Sequence, residues 1–206
     1  MTSTAHRAEH SGGQTPSVLT SGDTLCETDP MSDSEPTPPA LSPDGAPLPP
    51  SRLADHQAIV DLAISYANAV DDQDWARWED LFLPDALIDY RSSGGITGTP
   101  AEIAAWMPDA MAAFTWSMHS ISTPEIRFVD DDHATGRVHL HNRNGVEWEG
   151  EREILDVMGF YHDTYVRDGG RWRFASRIEM TLAFDGGKFA DLVRDAAASM
   201  QDDGGS

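Results

Sequence analysis

The chain changes periodicity once. Ahead of His119 its apolar residues recur at helical spacing, and beyond it they run in long strand-like stretches. Between residues 52 and 70, Ile59, Leu62, Ala63, Tyr66 and Val70 fall at i, i+3, i+4, i+7 and i+11. That stripe predicts an amphipathic helix with Tyr66 turned inward. Asp71-Asp72-Gln73-Asp74 breaks it, and a short second helix is expected from Asp74 to Phe82, with Asp74 as its N-cap. A strand over Ala86–Arg91, a glycine-rich hairpin turn at Ser92–Gly95 and a strand over Ile96–Thr99 follow. Thr99 with Glu102 three residues on marks a helix start, and that helix is expected to reach about Phe114, with Pro108 as a kink.

After His119 the predicted strands are Ile121–Val129, Ala134–Arg143, Leu155–Arg167 and Arg171–Leu182, the last two joined by Asp168-Gly169-Gly170. Trp75, Trp78, Trp106 and Trp172 read as core. Helices first and a curved antiparallel sheet after them define an α+β fold.

Residues 1–50 contribute nothing to that core. They hold nine of the thirteen prolines and none of the tryptophans, tyrosines or phenylalanines. Such a segment buries too little apolar surface to offset the entropy of ordering, so disorder is expected there. It lacks the basic and apolar regions of a secretory signal, and Met31 is an alternative start. The expected folded domain spans residues 51–184. A weak helix and polar tail are expected over 185–206.

The formal net charge of −21 disfavours nucleic acid, whose phosphates need clustered Lys and Arg, and equally an anionic membrane surface. No stretch approaches the roughly 18 apolar residues of a membrane span. The single cysteine, Cys26, permits no disulfide within one chain, which suits a cytoplasmic protein.

The residues that carry chemistry are Asp71, at the end of the first helix, and His119, in Trp116-Ser-Met-His119. A carboxylate that orients an imidazole makes a general base able to work near neutral pH. Tyr66 and Tyr90 are placed to join them, either as core aromatics or as donors to a substrate oxygen. Asp72 competes with Asp71 and is expected to be solvated. Arg137, His139 and His141 share one strand face, opposite Val138 and Leu140. The His-x-His pattern has no third ligand at matching spacing, so no metal is assigned. Arg137, His139, Trp116 and Asn142 are expected to contact substrate.

The phrases RLADHQAIVDLAISYANAVDDQDWARWEDLFLPDALIDY and FYHDTYVRDGGRWRFASRIEM resemble the SnoaL-like branch of the NTF2-like superfamily over roughly residues 52–184. The resemblance implies a cone-shaped α+β barrel, its bent sheet closed by N-terminal helices around a ligand cavity. Asp71 and His119 fall where dehydratases and a dehydrochlorinase of this branch keep an Asp–His base. Bile acid 7α-dehydratase is similar in spacing, with its tyrosines and catalytic pair mapping onto Tyr66, Tyr90, Asp71 and His119, and scytalone dehydratase is similar in using an Asp, a His and two Tyr. Asn144 stands where scytalone dehydratase has a second pocket histidine, and Asn142 near a further acidic residue of the bile acid enzyme.

The expected function is a cofactor-independent dehydratase acting next to a carbonyl on a polycyclic or polyketide-like apolar molecule, without nucleic-acid or membrane partners, as a trimer or dimer. The alternatives are a cyclase or isomerase of secondary metabolism using the same dyad, and a non-catalytic binding or assembly module.

Overall fold

The computed structural model describes residues 48–202. The disorder expected for residues 1–50, the Met31 start and the last residues of the polar tail therefore lie almost wholly outside the described residues.

Helix α1 spans Pro50–Asp71, with proline at its first turn, where a missing N–H costs nothing. Ile59, Leu62, Ala63, Tyr66 and Val70 are its buried face, as the stripe requires. It ends on Asp71 and Asp72, and Gln73 then adopts a left-handed φ of 53° that turns the chain. Helix α2 is only Trp75–Glu79, capped by the Asp74 side chain on Arg77 N–H. The helix expected to reach Phe82 stops short because β1, Phe82–Asp89, begins there. Pro84 is tolerated inside β1 because the ladder to β7 is interrupted between Phe82 and Leu87.

The expected hairpin turn is a 3₁₀ turn over Arg91–Ser93 closed by Gly94 at φ 85°, followed by β2, Thr97–Gly98. Helix α3, Pro100–Ala110, carries the full capping box between Thr99 and Glu102. It ends four residues before the expected limit. Strand β3, Phe114–Ile121, already includes His119, and β4, Glu125–Phe128, follows a break at Pro124. The one strand expected over Ile121–Val129 is thus two, and His119 sits on a strand rather than ahead of one.

Strands β5, His133–Trp148, β6, Glu151–Asp168, and β7, Arg171–Gly186, are longer than their apolar patterns suggested. The sheet runs β2-β1-β7-β6-β5-β3, with β4 also on β5; β1 and β7 are parallel and the other pairs antiparallel. Helix α4, Lys188–Asp202, completes the described chain.

The main core joins α1, α2, α3 and the inner sheet face through Ile59, Trp78, Phe82, Ile88, Ile103 and Phe174. Trp78 and Trp172 are buried as expected, whereas Trp75 and Trp106 are only partly so. Among the described residues, no helix is long and apolar enough to cross a membrane.

One ion pair lies inside this apolar core. Arg177 donates from Nε and Nη2 to the two oxygens of Asp163, both at 2.8 Å, with the two side chains essentially inaccessible. Tyr165 donates a third hydrogen bond to Asp163 Oδ2. The guanidinium stacks 3.9 Å from the Tyr66 ring centre and 4.1 Å from that of Tyr161. Burial pulls its pKa down, but the Asp163 carboxylate outweighs that and keeps it well above the usual arginine value.

Candidate active site

A cavity of about 340 Å³ opens between the inner sheet face, α1, α3 and α4. That volume lies within the range that takes a small organic ligand, roughly 300–1,000 Å³. Its lining combines apolar side chains, among them Trp106, Met107, Met111, Phe114, Leu155 and Val157, with His119, Tyr66, Tyr90, Tyr161, Asn142 and Glu179.

Asp71 holds His119 at two points. Its carboxylate accepts the His119 backbone N–H at 2.9 and 3.1 Å, and Oδ1 lies 2.6 Å from Nδ1. The first contact ties the end of α1 to β3, and the second fixes the ring. Nε2 is left as the ring nitrogen available to a ligand in the cavity. Burial pushes the Asp71 carboxyl up, but the hydrogen bonds from the His119 side chain and backbone outweigh it and hold it below the usual carboxylate range. Asp72 is largely exposed and reaches only toward Arg77.

Tyr66, on α1, and Tyr90, just past β1, place their hydroxyls 2.6 Å apart. Burial raises the pKa of both, and of Tyr161, so all three present neutral O–H groups. The Arg177 charge acts against that rise on each. It polarises the hydroxyls and makes them stronger donors.

Asn142 and Asn144 are buried on the inner face of β5, in line with Val138 and Leu140. Asn142 is paired directly with His119 across the strands, and Ser117 donates to Asn144 Oδ1 at 2.6 Å.

Three expected substrate contacts are not in the cavity. Arg137 and His139 occupy the opposite face of β5, where Arg137 stacks on Phe160 and His139 is exposed. Alternation from Val138 and Leu140 already points them outward. Trp116 is 45% exposed on the outer face of β3, one step out of phase with His119. Its indole lies flat on Gly145, where any Cβ would overlap it.

His141 shares that outer face and pairs with Asp156 at 2.8 Å. No group of three or more His, Cys, Asp or Glu side chains is arranged around a metal position among the described residues.

Sequence reasoning missed Tyr161, Glu179 and the wall made by α4, from which Phe189, Leu192 and Val193 line the cavity. Parity along β6 places Tyr161 inward with Tyr165. Glu179 carries no such signal, because a β-bulge decides its direction. Burial drives its carboxyl from the usual 4.5 up to about 7, against hydrogen bonds from Ser93 and Thr181 and the Arg177 charge.

A bent, unclosed sheet with helices over a cavity lined by the histidine of an Asp–His pair defines an NTF2-like α+β protein of the SnoaL-like class. The SnoaL-like domain model matches residues 51–178, and the chain belongs to that family. It is 32% identical over 130 residues to uncharacterised proteins of Mycobacterium tuberculosis and Mycobacterium bovis, covering 63% of this chain and 86% of each relative. Among solved structures, a scytalone dehydratase-like protein from Novosphingobium aromaticivorans superposes with a TM-score of 0.58 at 23% identity, over 66% of this chain and 89% of that one. A hexachlorocyclohexane dehydrochlorinase superposes with a TM-score of 0.59 at 22% identity, over 66% and 90%. At that identity the likeness is one of fold.

Proposed function

We propose that the protein is a cofactor-independent hydro-lyase acting next to a carbonyl on an apolar, polycyclic or polyketide-like molecule. The observation that carries this reading is the 2.6 Å contact between Asp71 Oδ1 and His119 Nδ1 at a cavity with the Tyr66–Tyr90 hydroxyl pair. Solved neighbours named for dehydration and dehydrochlorination, both eliminations, support the reaction class.

His119 Nε2 takes a proton from the carbon beside the carbonyl. Asp71 keeps the ring in the tautomer with Nδ1–H and stabilises the imidazolium, the role of the aspartate in a hydrolase triad. Electron density moves to the carbonyl oxygen, where the neutral tyrosine hydroxyls donate to it. The enolate then expels the group on the next carbon. A binding or assembly module has no need of an oriented imidazole at a ligand-sized cavity.

The test is α-proton exchange of 1-tetralone, a bicyclic ketone without a leaving group, in D₂O. The wild-type protein should exchange it, and His119→Gln should lose on the order of 10²–10⁴ in rate, the usual contribution of a positioned base. Equal exchange by both proteins would overturn the assignment.

A further inference from the structure

Two polar groups in the cavity lie outside the Asp71–His119 and Tyr66–Tyr90 contacts: Asn142, whose side chain reaches Tyr161, and Glu179. Asn142 is 7% exposed and its Oδ1 has no hydrogen-bond partner, although it lines the cavity beside His119. A buried acceptor left without a donor costs about 1–3 kcal/mol. Its position against the base marks it as a place where a ligand donates. Glu179 is also 7% exposed and lines the same cavity. Its Oε1 accepts from Thr181 Oγ1 at 3.3 Å, while the nearby Arg177 is engaged on both oxygens of Asp163. The carboxyl has no countercharge of its own.

We infer that Glu179 is the acid that protonates the departing hydroxyl, and that Asn142 Oδ1 accepts that hydroxyl's own proton. This rests on the hydro-lyase reading above and names its general acid. A hydroxyl meets both demands at once: it donates to Asn142 Oδ1 and accepts from the Glu179 carboxylic acid. A halide cannot donate and would leave Asn142 unsatisfied.

The step balances without a further reactant. His119 Nε2 gains the carbon-bound proton, the C–O bond breaks with its electron pair on oxygen, and the Glu179 proton completes water. Imidazolium and carboxylate remain, and the proton returns from His119 to Glu179 through solvent after release. A carboxyl raised to about 7 still holds its proton in a large share of molecules at neutral pH.

The experiment compares 3-hydroxy-1-tetralone, whose elimination yields a naphthol, with its 3-acetoxy analogue, whose leaving group needs less acid help. Glu179→Gln keeps shape and neutrality, and circular dichroism checks its fold. It should lower kcat about 100-fold on the hydroxy compound, in the range of general-acid contributions, and less than about 10-fold on the acetoxy compound. The wild-type rate on the hydroxy compound should also fall as pH rises through about 7, a limb that Glu179→Gln lacks. Asn142→Leu should shift kcat/KM about 10-fold toward the acetoxy compound, the worth of one hydrogen bond. Equal losses on both compounds, or none, while His119→Gln is inactive, would overturn the inference. Wild-type protein that neither exchanges 1-tetralone nor turns over either compound would overturn the elimination reading instead.

Discussion

Asp71 closes α1 and His119 lies two residues before the end of β3, and one carboxylate holds both the backbone N–H and Nδ1 of that histidine. The pair is therefore a structural clamp as well as a proposed catalytic dyad. Asp71→Asn can retain the backbone contact through its carbonyl oxygen, but it no longer opposes an imidazolium with a charge. We expect elimination or exchange activity to fall on the order of 10³–10⁴ while the fold persists, as when a triad aspartate is neutralised. Stopped-flow rates beside a melting curve check this. An inactive and unfolded variant would assign the clamp alone.

The core pair Asp163–Arg177 gives a stability prediction. Arg177→Met leaves a fully buried carboxylate with only the Tyr165 hydroxyl, and should destabilise by about 3–5 kcal/mol. Combining it with Asp163→Leu should recover much of that loss, since no charge is then buried. Urea unfolding of the two variants measures the difference. A double variant no better than the single one would contradict the account.

Glu179 gives a pH dependence with a definite sign. Its folded pKa of about 7 lies above the ordinary 4.5, so the folded state binds the proton more tightly than the unfolded one. Stability then falls as pH rises from about 4.5 to about 7 and is level beyond. Glu179→Gln removes that term. The variant should melt above the wild type at pH 8 and match it near pH 4, as scanning calorimetry at both values would record.

The outer sheet face suggests self-association. Trp116, Met118 and Met180 are 45%, 49% and 40% exposed there. On the same sheet, Arg127 and Arg137 hold buried guanidinium nitrogens without partners. We expect a dimer or trimer through this face at micromolar concentration, and Met118→Glu with Met180→Glu should shift it to monomer by light scattering. A monomeric wild type would refute the expectation.

The sequence by itself determined what depends on local spacing. The α1 stripe, the Asp74 N-cap, the Thr99–Glu102 box and the β6–β7 hairpin follow from residue periodicity and capping chemistry, and all four are present. The Asp71–His119 pairing came from family phrases at fixed positions rather than from geometry, and Asn142 was assigned to substrate on the same basis.

What only the tertiary structure decided is which way the late strands face. On an unbroken pleat, Trp172, Phe174, Ile178 and Met180 would line one side of β7. The bulge that pairs Tyr165 with Phe174 but Thr164 with Ser176 reverses the alternation. Trp172 and Phe174 stay inside, Met180 turns outward, and Arg177 and Glu179 enter the core and cavity. The extra residue moves the side chains after it to the other face as far as a second bulge opposite Met158 and Gly159, and its cost is set by partners nine to twelve residues away. No local pattern records it, so the buried arginine and the buried acid became visible only when the strands were paired.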